Sequence, residues 1–271
     1  MRQETIEQEF SVVEPVRLRV KNIRGSVDVR PCDDGVATIT AIKYLDTGNP
    51  DWTEIDIRQE EDGSLVAKTI FEKGLWQLFN RREPCQIDYI VRVPRACFVK
   101  VGCVSGKTLV QGLEGEFYIK TVSGRVALSD LSGKIKVTSV SGKIVGERLD
   151  GPTDFESVSG KVHLIESNLP FVAGSSVSGD LLLQTPLGEG PYGFKTVSGD
   201  VKLFLPPETG CTVGFSSISG RLKTSLPTTH NQRWNHKRYA ELQGGGAPVR
   251  FHSVSGNFSV MEMLTANAAP A

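Results

Sequence analysis

Residues 116–151 read EFYIKTVSG, RVALSDLSG, KIKVTSVSG and KIVGERLDG, four units of nine residues that each end in glycine. The glycines of the phrases Val-Ser-Gly and Ile-Ser-Gly recur along the chain at positions 106, 124, 142, 160, 179, 199, 220 and 256. A fixed period of roughly 20 residues is typical of proteins built from stacked repeats. The sequence therefore predicts a repetitive architecture.

Apolar residues usually occupy the second and fourth positions of the units, as in Phe117 and Ile119. Strand side chains alternate between two faces, so these positions bury the same face. Val-Ser-Gly turns alternate with Leu-x-Gly turns, so the structural repeat consists of two nine-residue units. The prediction is an all-β β-solenoid of stacked parallel strands, with about 18 residues and two strands per coil. The alternative is an antiparallel meander that closes into a sandwich or barrel.

The turns carry more detailed expectations. The valines of three successive Val-Ser-Gly turns are predicted to be buried and stacked: Val122, Val140 and Val158. The glycines of the same turns are expected to have positive φ: Gly124, Gly142 and Gly160. A small Cys, Ser or Thr precedes each turn, and its stacked side chains either form a polar ladder or simply suit a turn.

The extent of the strict repeat divides the chain into three predicted regions. Residues 1–100 have β patterns without the nine-residue unit and are predicted to form an N-terminal β region that caps the solenoid. Residues 101–262 are predicted to form the solenoid, with an excursion at 227–247. Residues 263–271 are small and polar, which predicts a disordered tail.

The composition narrows the classes of function. Lys plus Arg and Asp plus Glu number 31 each, so no global attraction to nucleic acid is expected. No signal peptide or transmembrane run is evident, which predicts a cytoplasmic location. The five cysteines include no CxxC pair, which favours buried reduced thiols over zinc or a disulfide framework. A Cys97–Cys103 or Cys85–Cys97 bridge is the alternative.

Two segments combine aromatic and basic residues, the types that anchor interfaces. The candidate partner-binding residues are Trp76, Phe79, Arg81 and Arg82 in the first segment and Arg233, Trp234, Arg238 and Tyr239 in the second. The first segment also suits a peripheral membrane contact, or a plug folded over the end of the core. The second also suits a polar hairpin between coils.

The sequence predicts no catalytic residue, no cofactor site and no metal site. His230 and His236 have no acidic neighbour at metal-ligand spacing. Asp180 and Asp200 occupy equivalent repeat positions, which keeps open a carbohydrate-binding or carbohydrate-active β-helix protein. A hydrolase of that class needs two carboxylates that converge in a cleft.

Three motifs carry a resemblance to a known family. They are NIRGSVDV at 22–29, the pair of VSGD sequences at 177–180 and 197–200, and GGGAP at 244–248 shortly before the last VSG. With these motifs the chain resembles the bacterial putative-adhesin domain family of unknown function. The resemblance implies a VSG-repeat β-solenoid and a non-enzymatic interaction or scaffold role, linked to the envelope or to stress response. The expected partner is an unidentified protein or envelope component.

Overall fold

The computed structural model describes residues 2–32, 35–71 and 83–263. The chain forms two compact units, Met1–Val145 and Gly146–Ala271. Within the described residues the regular structure is 22 β-strands and two single-turn 3-10 helices, Leu45–Thr47 and Pro50–Trp52. The predicted all-β class is therefore confirmed.

The first unit contains nine complete strands. They are β1 (Gln3–Ser11), β2 (Val16–Arg24), β3 (Val27–Pro31), β4 (Val36–Tyr44), β5 (Thr53–Gln59), β6 (Leu65–Phe71), β7 (Gln86–Val93), β8 (Ala96–Gln111) and β9 (Glu114–Ser141).

The stacking of β8 on β9 confirms the predicted coil length. The two strands are parallel, and Lys100 lies beside Tyr118 just as Gly106 lies beside Gly124, so the offset equals two of the nine-residue units. The first part of β8 also pairs with β2 and its last part pairs with β3. One coil therefore contributes two strand segments, as the β-solenoid prediction requires.

Antiparallel strands lie at the N-terminal end of this unit. The coil of β2 and β3 pairs in parallel with β6 and β7 on the side away from β8. Strand β5 then adds to β6, β4 adds to β7 and β1 adds to β4, all antiparallel. These antiparallel strands fall within residues 1–100, the region predicted to cap the solenoid.

The alternation of side chains corrects one prediction. Phe117, Ile119 and Thr121 are all buried, because positions two residues apart share the inner face of β9. The turn valine comes one residue after Thr121 and therefore points outward. The predicted burial is wrong: Val122 and Val140 are 44% exposed and Val158 is 45% exposed.

Close stacking explains the turn glycines better than backbone conformation does. Gly124 has a φ of +142°, but Gly142 and Gly160 are not among the positive-φ glycines of the described residues. The positive-φ prediction is right at the first of these positions and wrong at the other two. A Cβ atom on Gly124 would overlap the carbonyl oxygen of Gly106, and one on Gly142 would overlap that of Gly124. Glycine is required because neighbouring turns lie so close together.

The second unit contains shorter strands, and β10 (Ile144–Asp150) begins at its boundary. The others are β11 (Thr153–Ser157), β12 (Val162–Ile165), β13 (Val172–Ser176), β14 (Leu181–Gln184), β15 (Tyr192–Thr196), β16 (Val201–Leu205), β17 (Cys211–Ser217), β18 (Leu222–Thr224), β19 (Thr228–Trp234), β20 (Lys237–Leu242), β21 (Ala247–Ser253) and β22 (Phe258–Glu262).

The coils of this unit do not stack in chain order. Strand β21 pairs in parallel with β15 on one side and with β17 on the other, so Val249 lies beside both Tyr192 and Val213. Strand β22 similarly pairs with β16 and β18. The last Val-Ser-Gly coil is therefore inserted between two coils that precede it in sequence.

A hairpin of β19 and β20 covers the far side of β17. Strand β20 is antiparallel to β17, and β19 is antiparallel to β20. Every residue of β19 is exposed. The predicted excursion at 227–247 thus contains a regular β-hairpin that extends the sheet.

Candidate binding groove

Only one of the two predicted clusters of partner-binding residues lies within the described residues. The first, consisting of Trp76, Phe79, Arg81 and Arg82, lies outside the described residues. The second, consisting of Arg233, Trp234, Arg238 and Tyr239, lies at and near the tip of the β19–β20 hairpin. Trp234 is 81% exposed and Tyr239 is 41% exposed, so both aromatic rings are accessible.

Strand register brings this hairpin into line with the last coil. Gly214 of β17 lies beside Tyr239 on one side and beside Arg250 on the other. Two residues further along β17, Ser216 lies beside Lys237 and His252. Phe215, between them, is buried, so Gly214 and Ser216 face outward with their neighbours.

These rows form an open groove of about 820 Å³ on the outer face of the sheet. Its floor is low because Gly214 has no side chain. The space above Gly214 is open, since a Cβ atom placed there would lie 3.9 Å from its nearest neighbour, Arg250 Cγ. Taller side chains from β21 form one wall, and side chains of the hairpin form the other. We call this feature the hairpin groove.

The hairpin groove is strongly basic. The residues that line it include four that carry a full positive charge, namely Arg233, Lys237, Arg238 and Arg250, together with His252. Lys237, Arg250 and His252 belong to the outward rows, whereas Arg238 is the strand partner of the buried Phe215 and Arg233 is the partner of Arg238, so these two side chains leave the hairpin on its other face. The lining residues in the described part of the chain include no Asp or Glu. The chain as a whole has no net charge, so this local excess of cations favours an anionic ligand.

Hydrogen bonds hold part of the hairpin in place. Arg238 Nε donates to Asn231 Oδ1 at 3.0 Å, and its Nη1 donates to the carbonyl oxygen of Leu222 at 3.3 Å. The rings of His230 and Tyr239 meet edge to face, with their centroids 6.3 Å apart. Arg238 therefore positions the tip as well as adding charge to it.

A second concavity of about 520 Å³ lies against the same hairpin and shares Arg233, Lys237 and Arg238 with the groove. Arg221 and His236 complete its basic lining. The hairpin tip is consequently basic on both sides.

Sequence reasoning missed Lys237, Arg250 and His252 as members of the site. Lys237 follows the predicted Trp234 closely, and its place in the same basic segment was the available signal. Arg250 and His252 alternate with buried Val249 and Phe251, which marks them as outward-facing. Their approach to the hairpin depends on the coil insertion and had no sequence signal.

The repeated aspartates have a structural role. Asp180 Oδ1 accepts a hydrogen bond from the backbone nitrogen of Asp200 at 3.3 Å. Asn257 Oδ1 accepts one from the backbone nitrogen of Arg221 at 3.1 Å. Each side chain thus binds the backbone of an adjacent coil, and Asp180 lies 3.9 Å from Lys161 in an ion pair. This stacking forms a ladder of side chains along the turns.

No group of three or more His, Cys, Asp or Glu side chains is arranged to hold a metal ion in the described ranges. Those ranges also contain no helix that is long and apolar enough to cross a membrane.

Comparison with known proteins agrees with the predicted resemblance. Residues 172–261 match the Toastrack DUF4097 family. This Toastrack segment includes β13 to β22 almost completely, and thus the hairpin groove. The resemblance to a putative-adhesin domain family of unknown function is confirmed.

Solved structures resemble the chain at low sequence identity. A protein from Parabacteroides distasonis named a putative lipid binding protein is 12% identical, with a TM-score of 0.52 and coverage of 96% of each chain. A putative adhesin from Bacteroides fragilis is 11% identical, with a TM-score of 0.49 and coverage of 96% of this chain and 97% of that one. No curated protein matches the chain.

Proposed function

We propose that this protein is a non-enzymatic, adhesin-like binding module whose recognition surface is the hairpin groove. The observation that carries the proposal is the concentration of cationic residues and two exposed aromatic residues at the hairpin, with Lys237, Arg250 and Tyr239 on the same face as the glycine floor. Trp, Tyr and Arg are the residues that most often anchor interfaces. The ligand is an anionic component of a cell envelope.

The name of the Parabacteroides distasonis structure, a putative lipid binding protein, supports a binding role. The carbohydrate-active alternative lacks support, because Asp180 and Asp200 bind backbone of neighbouring coils. A carbohydrate-binding role without catalysis is compatible with the groove, since aromatic rings stack on sugars and cations bind their acidic groups.

The test compares binding to envelope fragments of the species that encodes the chain. The wild type is compared with the double variant Trp234→Ala/Tyr239→Ala, and Phe171→Ala is the matched control. Phe171 is an exposed aromatic residue of the same unit and is not part of the groove lining. Circular dichroism verifies that each variant is folded.

The double variant is expected to bind at least tenfold more weakly, because loss of an interface anchor costs about 2 kcal/mol or more. The control is expected to bind like the wild type. Equal binding by the double variant would show that the groove is not the recognition surface. Absence of binding by the wild type would refute the adhesin-like role itself.

A further inference from the structure

The outer face of the first unit carries a second basic surface, built from residues other than those of the hairpin groove. Outward positions of β2, β8 and β9 place Arg19 beside Lys100 and Lys100 beside Tyr118. In the next row, Lys21 lies beside Gly102 and Gly102 beside Lys120. A shallow depression of about 540 Å³ covers these rows and also includes Lys136. We call this surface the lysine face.

Three of the lysines on the lysine face lack a neighbouring carboxylate among the described residues. Its lining contains Arg19, Lys21, Lys100, Lys120 and Lys136, and no Asp or Glu among the described residues. Arg19 is paired with Glu60 at 3.4 Å. Lys21, Lys100 and Lys120 are exposed and have no ion pair among the residues that the structure describes. Like charges on neighbouring strands destabilise a sheet, so an anionic partner would relieve a cost that the free protein bears.

The chemistry of the face distinguishes between partners. Four of its five cations are lysines, which act as flexible point charges and do not impose the two-pronged geometry of arginine on a single acid group. Tyr118 is a poor platform for a sugar ring, because its hydroxyl donates to Glu116 Oε2 at 2.6 Å and Lys134 lies over the ring at 5.9 Å. Diffuse charge on a sheet face suits a surface of many mobile anions better than one defined ligand.

An exposed aromatic residue lies at the margin of the same face. Phe98 occupies an outward position of β8, two residues before Lys100, and is 36% exposed. The Arg17 guanidinium lies 6.0 Å from its ring centroid. Aromatic residues beside cations are typical of proteins that contact the interfacial region of a bilayer.

We propose that the lysine face binds the surface of an anionic phospholipid bilayer. The charges are spread over neighbouring strands about 4.8 Å apart, so several headgroups are contacted at once. Each basic residue near an anionic bilayer contributes about a fivefold gain in partitioning, and the attraction weakens as salt screens it.

The test is cosedimentation of the full chain with vesicles of phosphatidylcholine alone and with vesicles in which phosphatidylglycerol replaces about a third of that lipid. The triple variant Lys21→Gln/Lys100→Gln/Lys120→Gln is compared with Lys107→Gln/Arg125→Gln/Lys143→Gln. The control triple removes the same charge from exposed positions of the same unit that do not line the lysine face. The double variant of the hairpin groove is included as well.

The wild type is expected to bind only the anionic vesicles, and to bind them more weakly in about 0.5 M than in about 0.1 M salt. Loss of the three lysines should lower partitioning about a hundredfold, whereas the control triple should retain most of it. Equal losses in the two triples, or no binding of the wild type, would overturn the proposal. Binding of a soluble acidic glycan to the lysine face, with no binding of the wild type to anionic vesicles, would also overturn it. The double variant of the hairpin groove keeps the lysine face, so it is expected to bind anionic vesicles like the wild type. Its binding to vesicles therefore tests the lysine face separately from the hairpin groove.

Discussion

Asp200 and Asn257 are far apart in sequence, yet the Asp200 Oδ1 atom accepts two hydrogen bonds from Asn257. One comes from the backbone nitrogen at 2.8 Å and the other from Nδ2 at 3.0 Å. The contact fastens the inserted last coil to the coil of β15 and β16, because Val201 and Phe258 pair directly beside it. The aspartate of a turn therefore holds together coils that the chain order separates.

Asp200→Ala should lower the free energy of unfolding by about 1 kcal/mol, because it removes both charge-assisted hydrogen bonds. Asp180→Ala is the matched control, since its carboxylate accepts a single longer bond, from the backbone nitrogen of Asp200 at 3.3 Å. Urea unfolding measures both effects. A loss in Asp180→Ala that equals the loss in Asp200→Ala would contradict a specific role in fastening the inserted coil.

Val137 and Val140 provide a direct test of which face of β9 is buried. Val137 is 1% exposed and Val140 is 44% exposed. Val137→Asp should therefore cost several kcal/mol, because it buries an unpaired charge, whereas Val140→Asp should cost less than about 1 kcal/mol. Thermal unfolding distinguishes the two variants. Severe destabilisation by Val140→Asp would show that the turn valines are part of a core.

The error over the turn valines has a physical cause that the sequence contained. With Phe117 and Ile119 inside, period-two alternation places Thr121 inside and Val122 outside. The apolar, β-branched character of valine suggested burial, but the alternation of side chains along the strand determines that Val122 faces outward. The coil length and parallel stacking were predictable because both depend only on the repeat.

The order of the coils in the second unit was not predictable in the same way. The repeats are nearly equivalent in sequence, so nothing in Val201 specifies Phe258 as its neighbour. The unusually long interval between Gly220 and Gly256 shows only that something is inserted there. The hairpin groove could not be predicted for the same reason, because Arg250 lies beside Gly214 only when the last coil is inserted next to β17.

The ladder of small polar residues lies inside the solenoid, and its members differ in hydrogen bonding. The Thr121 hydroxyl is buried and has no hydrogen-bond partner in the described part of the chain. Thr196 Oγ1, in contrast, donates to the carbonyl oxygen of Gly199 at 2.9 Å. Thr121→Val should therefore be neutral or raise the melting temperature, whereas Thr196→Val should lower the unfolding free energy by about 1 kcal/mol.

Differential scanning calorimetry compares these two variants. The substitutions are matched in shape, and both threonines are buried, so the packing terms are similar. If Thr121→Val were as destabilising as Thr196→Val, the Thr121 hydroxyl would have to make a hydrogen bond in solution.

The buried thiols predict a loss of stability at alkaline pH. Burial raises the pKa of Cys97 from 9.0 to about 12, with the Glu14 carboxylate adding to the effect, and burial raises the pKa of Cys211 to about 11. In the unfolded chain these thiols ionise near pH 9, whereas in the folded chain they stay protonated. The unfolded state therefore binds fewer protons above pH 9, and the free energy of unfolding falls as the pH rises from 9 towards 12.

Cys97→Ala isolates this contribution, because alanine does not titrate. The stability of the wild type relative to Cys97→Ala should be constant below pH 8 and should decrease by about 1 kcal/mol between pH 8 and pH 10. Urea unfolding at each pH gives the difference, and titration with a thiol reagent at pH 8 gives a second measurement. Cys97 and Cys211 should react only on unfolding, while the half-buried Cys32 reacts in the folded protein. A pH-independent difference between the two proteins, together with rapid labelling of Cys97 in the folded state, would show that this thiol is accessible to solvent.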